Sequence, residues 1–181
     1  MRSLTLIRPL VLLALASLTV ACSTSPRQEV AQAPLTFIVV RHAEKATDDP
    51  QDPNLSAAGL ARADALARRL RDAPLVAAYA TEFRRTQQTA RPAAEAHGLP
   101  VTAYFARGPA AESAAQWKQA HHGGTVLIVG HSNTVPDLVA ALCGCTTQPM
   151  DDTEYDRLSI VRVDAAGRAT LEIERYGATV P

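Results

Sequence analysis

Three short stretches of this chain put cations and imidazoles where apolar runs end: Arg41-His42, Arg84-Arg85 and His131. Taken singly, each is unremarkable, because a lone histidine is more often a polar loop residue than a catalyst and paired arginines suit a solvated helix start. Together they suggest a pocket for a doubly charged phosphate, whose terminal oxygens match the forked donors of arginine and the amides of helix N-termini. In such a pocket a neutral imidazole attacks phosphorus in line, while a second histidine and the arginines hold the equatorial oxygens as charge redistributes. Protein cations then supply the charge, so neither a metal ion nor another cofactor is expected.

For these residues to meet, the elements between them must form an α/β sheet, in which ligands gather at the carboxyl ends of strands. Leu35 to Val40 and Thr125 to Val129 are continuous apolar runs rich in β-branched residues, as expected of strands buried on both faces. Leu75 to Ala80, Val101 to Tyr104, and the pair Leu158 to Val163 and Ala169 to Arg175 complete the predicted strands, the last two as a hairpin across Asp164 to Gly167. Helices are predicted from a Ser56 cap to about Asp72, from Arg85 to His97, from Ala110 to His121 and from near Pro136 to Cys143. On the first, Leu60, Ala63, Ala67 and Leu70 are expected inward, with Arg62, Arg68, Arg69 and Arg71 pointing elsewhere. The expected fold is an α/β three-layer sandwich, with a mostly parallel central sheet flanked by helices.

The 181 residues suffice for one domain, and 47% hydrophobic against 20% charged residues excludes a mostly disordered chain. Eighteen basic residues balance eighteen acidic ones, which argues against a nucleic-acid partner. The start of the chain looks like an address: Arg2 and Arg8, an apolar run from Leu10 to Val20 that is short for a membrane span, then Ala21-Cys22. Residues 1–21 are therefore expected to be a signal peptide, 22–34 a flexible polar tether and 35–181 the catalytic domain. Cleavage before Cys22 with lipidation of its thiol would resemble a bacterial lipoprotein anchored to a membrane. Thr19 stands where such signals favour leucine, which keeps a plain secretory signal open, and Ser23 after the cysteine suggests the outer membrane. A periplasmic protein is expected, formally about −2 once Arg2 and Arg8 are removed. Cys143-Gly144-Cys145 is too tightly spaced, and lacks a second pair, for zinc; it is either a local disulfide or two small core residues.

The three stretches resemble the motifs of the histidine phosphatase superfamily, also called phosphoglycerate mutase-like. Arg41-His42-Ala43-Glu44-Lys45 is similar to its Arg-His hallmark at the end of the first strand. Thr81-Glu82-Phe83-Arg84-Arg85-Thr86-Gln87-Gln88-Thr89-Ala90 resembles its second motif, Val129-Gly130-His131-Ser132 its third, and Leu55-Ser56-Ala57-Ala58-Gly59 its helix start. The resemblance implies that His42 becomes a phosphohistidine and that Arg41, Arg85 and His131 bind the phosphate. It also implies a carboxylic acid for the leaving group between the second motif and the second histidine. Glu112 is the only carboxylate between Glu95 and Asp137, with Glu82 as the alternative.

Only 45 residues separate Arg85 from His131. That leaves little room for the long insertions of the family's mutases and phytase-like members, and Ser132 replaces the aspartate of the phytase-like signature. The expected activity is a metal-independent phosphomonoesterase acting on a small phosphorylated molecule or a phosphoprotein in the cell envelope. A lipoprotein that binds a phospho-ligand without turning it over is the alternative. Elsewhere, Glu44 and Lys45 are expected either to line the pocket or to pair with each other. His121-His122 reads as an exposed helix end, Trp117 as packing, and Asp48-Asp49 and Asp151-Asp152 as solvated turns.

Overall fold

Apolar side chains on both faces of a strand demand cover on both sides, and the two most apolar strands lie side by side at the middle of the sheet. A computed structural model describes residues 34–179. The expected signal peptide (1–21), the tether up to residue 33 and Cys22 lie outside the described residues.

Strand β1 (Leu35–Arg41) is followed by helix α1 (Ala57–Arg69), β2 (Leu75–Thr81), α2 (Arg84–Ala96), β3 (Val101–Tyr104) and α3 (Ala110–Ala120). Then come β4 (Gly124–Gly130), α4 (Val135–Cys143) and the hairpin β5 (Arg157–Val163) and β6 (Ala169–Arg175). The sheet order is β3-β2-β4-β1-β5-β6. The first four strands run parallel, and β5 is antiparallel to β1 and to β6.

Alternation along β1 divides the core into two layers. Ile38 and Val40 join Leu66, Leu70, Ala90 and Ala93 of α1 and α2 on one face. Phe37 and Val39 join Ala114, Trp117, Leu138 and Leu142 of α3 and α4 on the other. The right-handed crossover rule accounts for this distribution. The chain moves in one direction across the sheet from β1 through β2 to β3, which puts α1 and α2 on one face. It then reverses to reach β4, which puts α3 on the other. The expected three-layer α/β sandwich is thus observed.

Helix α1 turns a different face inward than the sequence suggests. Leu60 is 53% exposed and Arg62 only 4%, while Ala63, Leu66 and Leu70 are buried. The cause is Gly59, where a Cβ would stand 2.3 Å from the carbonyl oxygen of Glu44. Close backbone approach at Gly59 fixes the rotation of the helix. Positions 62, 63, 66 and 70 then follow it inward at helical spacing, and Leu60 is carried out by about 100°. Ser56 caps the helix by accepting from Gly59 N at 3.2 Å. Gly59→Ala should therefore lower stability by roughly 2 kcal/mol or more, since backbone rather than a mobile side chain stands in the way. Unchanged urea unfolding in that variant would show that the approach is not needed.

Candidate active site

The carboxyl ends of β1, β4 and β2 bring the three stretches together. Arg41 pairs with Gly130 in the parallel register of β1 and β4, and His42 N donates to Gly130 O at 2.9 Å. His42 and His131, one residue past that pair, are buried, with ring centroids 5.3 Å apart. Arg85 reaches the same end from the first turn of α2, where Thr89 Oγ1 bonds Arg85 O at 2.7 Å and accepts from Ala43 N at 2.9 Å. That hydroxyl ties α2 to the loop carrying His42.

The hydrogen bonds of His42 decide its chemistry. Its Nδ1 lies 2.8 Å from Ala43 O, and a carbonyl only accepts, so Nδ1 carries the hydrogen and Nε2 is left as the basic nitrogen. Burial above all, with the charges of Arg41, His131 and Arg85, lowers its pKa from 6.5 to about 3, against the pull of the Ala43 hydrogen bond. Burial likewise lowers His131 to about 4, helped by Arg85, Arg41 and Lys45 and opposed by Glu82. Both imidazoles are neutral near neutral pH, and His42 presents an unprotonated Nε2.

The two arginines are held without being used up. Arg41 Nη1 donates to the carbonyl oxygens of Asp151 (3.1 Å), Asp152 (2.7 Å) and Glu154 (3.4 Å), and its guanidinium lies 4.1 Å from the Tyr155 ring centroid. Arg85 sits 4.4 Å from the Phe83 ring centroid, and Phe83 also meets His131 edge-on. Buried Nε of Arg41, and Nε and Nη1 of Arg85, have no hydrogen-bond partner among the described residues. Orphaned donors of this kind are costly unless a ligand accepts from them, and an anion with several oxygens fits. Arg84, by contrast, pairs with Asp49 and Asp52 on the surface.

Several expectations are corrected here. Glu112 is exposed on α3, in a groove lined by Thr102, Phe105, Ser113 and Gln116 that includes neither histidine nor either arginine. The structure therefore does not bring it to the pair. Glu82 lies nearer, on the turn before Arg85; it bonds Ala106 N at 3.0 Å, and its charge acts on both His131 and Arg85. Glu44 neither lines the pocket nor pairs with Lys45. It turns to Arg62, accepting from Nη2 at 2.7 Å and Nε at 3.0 Å. Lys45 is exposed, with its charge felt at His131.

Asp48 and Asp49 cap turns through Asn54, Gln51 and Asp52, as solvated residues would. The Asp151 and Asp152 side chains are exposed too, but their carbonyls hold Arg41. Trp117 is buried against Tyr79 and Tyr104, and His121 meets Tyr79 Oη at 3.0 Å. Cys143 and Cys145 form a disulfide at the end of α4. Sequence reasoning missed Tyr155, which no local spacing marks, and gave no role to Thr81, Phe83, Thr86 or Thr89, although all four stand inside the second motif.

Two histidines and two arginines thus gather at the strand ends of an α/β sheet. Residues 37–104 match the family model "Histidine phosphatase superfamily (branch 1)", and the described domain has that superfamily's fold. Among solved structures, the chain is similar to the protein histidine phosphatase SixA complexed with tungstate: 22% identity, 77% of this chain, 96% of that one, TM-score 0.61. A candidate alpha-ribazole-5'-P phosphatase from Escherichia coli K-12 follows, with 17% identity, 78% and 96% coverage and TM-score 0.62. A candidate phosphohistidine phosphatase SixA from Nakamurella multipartitia shows 19% identity, 81% and 98% coverage and TM-score 0.54. Likeness at this level is likeness of fold. No curated protein matches the sequence.

The depressed histidine pKa values make stability depend on pH. Unfolding returns each imidazole to its ordinary value of 6.5, so the unfolded chain takes up protons first as pH falls below that point. Stability is complete above about pH 6.5 and declines toward the folded values. The thermal midpoint should drop between roughly pH 7 and pH 5, above the range where carboxylates titrate, and drop less in His42→Gln. A flat midpoint over that range in the unsubstituted chain would contradict the burial argument.

Proposed function

We infer that this chain is a metal-independent phosphomonoesterase that works through a phosphohistidine at His42. One observation carries the reading: a buried neutral imidazole with Nε2 free, beside two arginines of which Arg41 Nε and Arg85 Nε and Nη1 are buried with no hydrogen-bond partner among the described residues. In this reading the phosphoryl oxygens accept from Arg41 and Arg85 and from His131, and Nε2 of His42 attacks phosphorus as the ester oxygen leaves. Water then attacks the phosphohistidine, which releases phosphate and restores the imidazole. Glu82 is the proton donor to the leaving oxygen, because it is the carboxylate on the turn between the second strand and Arg85 whose charge reaches His131.

The substrate is a small phosphate ester or a phosphorylated protein side chain. The short β3 and α3 between Arg85 and His131 leave no long insertion over the site, and the solved structures of similar fold include proteins named for phosphohistidine and for a small phosphate ester. We place the protein in the cell envelope as a lipoprotein anchored through Cys22, on the character of residues 1–22 and on the Cys143–Cys145 disulfide, which suits an oxidising compartment.

Purified protein should hydrolyse p-nitrophenyl phosphate in the presence of chelator, and acid-labile, base-stable phosphate should be trapped on the protein on quenching. His42→Ala should abolish both. Binding of phosphate without turnover at any pH would instead favour a phospho-ligand receptor. For alkyl esters, whose poor leaving groups need a proton, Glu82→Gln should cut kcat by about 10²-fold or more while Glu112→Gln leaves it near the starting value. The reverse pattern would return the role to Glu112.

A further inference from the structure

A chain of hydroxyls behind His131 determines which of its nitrogens carries the hydrogen. Thr86 has one hydroxyl hydrogen and two carbonyls within reach, Phe83 O at 2.7 Å and Thr81 O at 3.0 Å. Carbonyls only accept, so Thr86 gives its hydrogen to the main chain and meets Thr81 Oγ1, 2.8 Å away, as an acceptor. Thr81 spends its single hydrogen on Thr86. Toward His131 Nε2, 3.0 Å away, it has only lone pairs left, so Nε2 must donate. Thr81 and Thr86 are both fully buried, which denies water the chance to exchange these partners.

In a neutral imidazole the consequence is that Nδ1 of His131 is a bare lone pair. No hydrogen bond among the described residues reaches it. His42 is fixed in the opposite sense, with Nδ1–H on Ala43 O and Nε2 bare for attack. A fully deprotonated phosphate beside the two rings would meet a lone pair from each, although the arginines favour its charge.

We propose that the site takes its phosphate ligand together with one proton, lodged on Nδ1 of His131, and that Thr81 and Thr86 are the positioning residues that require it. The proposal rests on the phosphate reading above. In the binding step the dianion and a solvent proton, or the monoanion bringing its own hydrogen, yield an imidazolium whose Nδ1–H donates to a phosphoryl oxygen. No covalent bond to phosphorus changes. Around His131 stand Arg85 from α2, Arg41 from the end of β1, and Lys45 and His42 from the loop after it, with Phe83 edge-on; all the cations among them oppose this proton. In the free site Glu82 is the carboxylate that favours it; the charge that reverses the balance is the ligand's own.

The test is calorimetric titration of the full chain with inorganic phosphate at ~pH 8, in two buffers of different ionisation heat, where the free ligand is chiefly dianionic. Uptake close to one proton per phosphate is expected, with affinity falling about tenfold per pH unit above that point. Nitrogen chemical shifts of labelled His131 should report hydrogen on Nε2 in the free protein. Thr81→Val removes the acceptor and frees the tautomer, so Nδ1–H becomes available without protonation and uptake should fall well below one; Thr81→Ser should restore it. Phosphate binding without proton uptake, or hydrogen found on Nδ1, overturns this proposal alone. No phosphate binding at any pH overturns it together with the function on which it rests. Both measurements on the unsubstituted chain decide the matter even where Thr81→Val does not fold.

Discussion

The parallel register of β1 and β4 pairs Arg41 with Gly130, so the next residue along each strand is a histidine. The amide of His42 extends that ladder by one more bond, to Gly130 O. Everything at the site inherits its position from this pairing. Gly130 is the right residue for the junction because a Cβ there would stand 3.0 Å from Thr134 Oγ1 and 3.1 Å from Tyr104 Oη. Thr134 Oγ1 in turn accepts from His131 N at 3.0 Å, so crowding at Gly130 would be felt at the second histidine. A slip of one residue would turn Phe37 and Val39 into the wrong core layer and separate the histidines, which is why two fully buried faces specify this register so strongly.

Around that frame, the arginines differ by what holds them. Arg62 is nearly fully buried and bound by the Glu44 carboxylate, with Tyr176 O accepting from Nη1 at 3.0 Å; its charge is spent on joining α1 to the loop after β1. Arg84 is spent on Asp49 and Asp52. Arg41 is oriented by main-chain carbonyls and an aromatic face, with its nearest carboxylate, Asp152, 3.9 Å away and 90% exposed. Arg85 leans on Phe83, with Asp52 at 3.5 Å. Dipoles and ring faces fix a guanidinium without neutralising it, so the positive charge stays available to a ligand. Two cations and two buried imidazoles in one place repel one another's protons, and the lowered pKa values of both histidines record that repulsion added to burial.

Much of this could be read from sequence because it follows local rules. Each predicted strand and helix is present to within a few residues, since apolar runs of β-branched residues and capped helical periods are local signals. The convergence of His42, Arg85 and His131 followed from placing strand ends on one edge of a sheet. What the sequence concealed depended on contacts between distant segments. The rotation of α1 is set by Gly59 against Glu44, so hydrophobic spacing alone put Leu60 inward and Arg62 outward. Glu112 was selected by its place in the chain, whereas the fold sets it in a groove of β3 and α3 that holds neither histidine. Tyr155 and the carbonyls of Asp151, Asp152 and Glu154 reach Arg41 from more than a hundred residues away, and carbonyls leave no mark in a sequence at all.

That last feature bears on how such a site changes over evolutionary time. An arginine gripped by side chains ties the identity of every gripping residue to function. Here the grip on Arg41 comes from the peptide groups of Asp151, Asp152 and Glu154, so a mutation that keeps the loop's path keeps the grip whatever side chain it installs. The Asp152 carboxylate, 90% exposed, adds a weak tie 3.9 Å from the guanidinium, and the Asp151 carboxylate holds Thr153 N at 2.8 Å within the loop. A lineage could change the other side chains of the rim one substitution at a time, while the guanidinium beneath keeps its place.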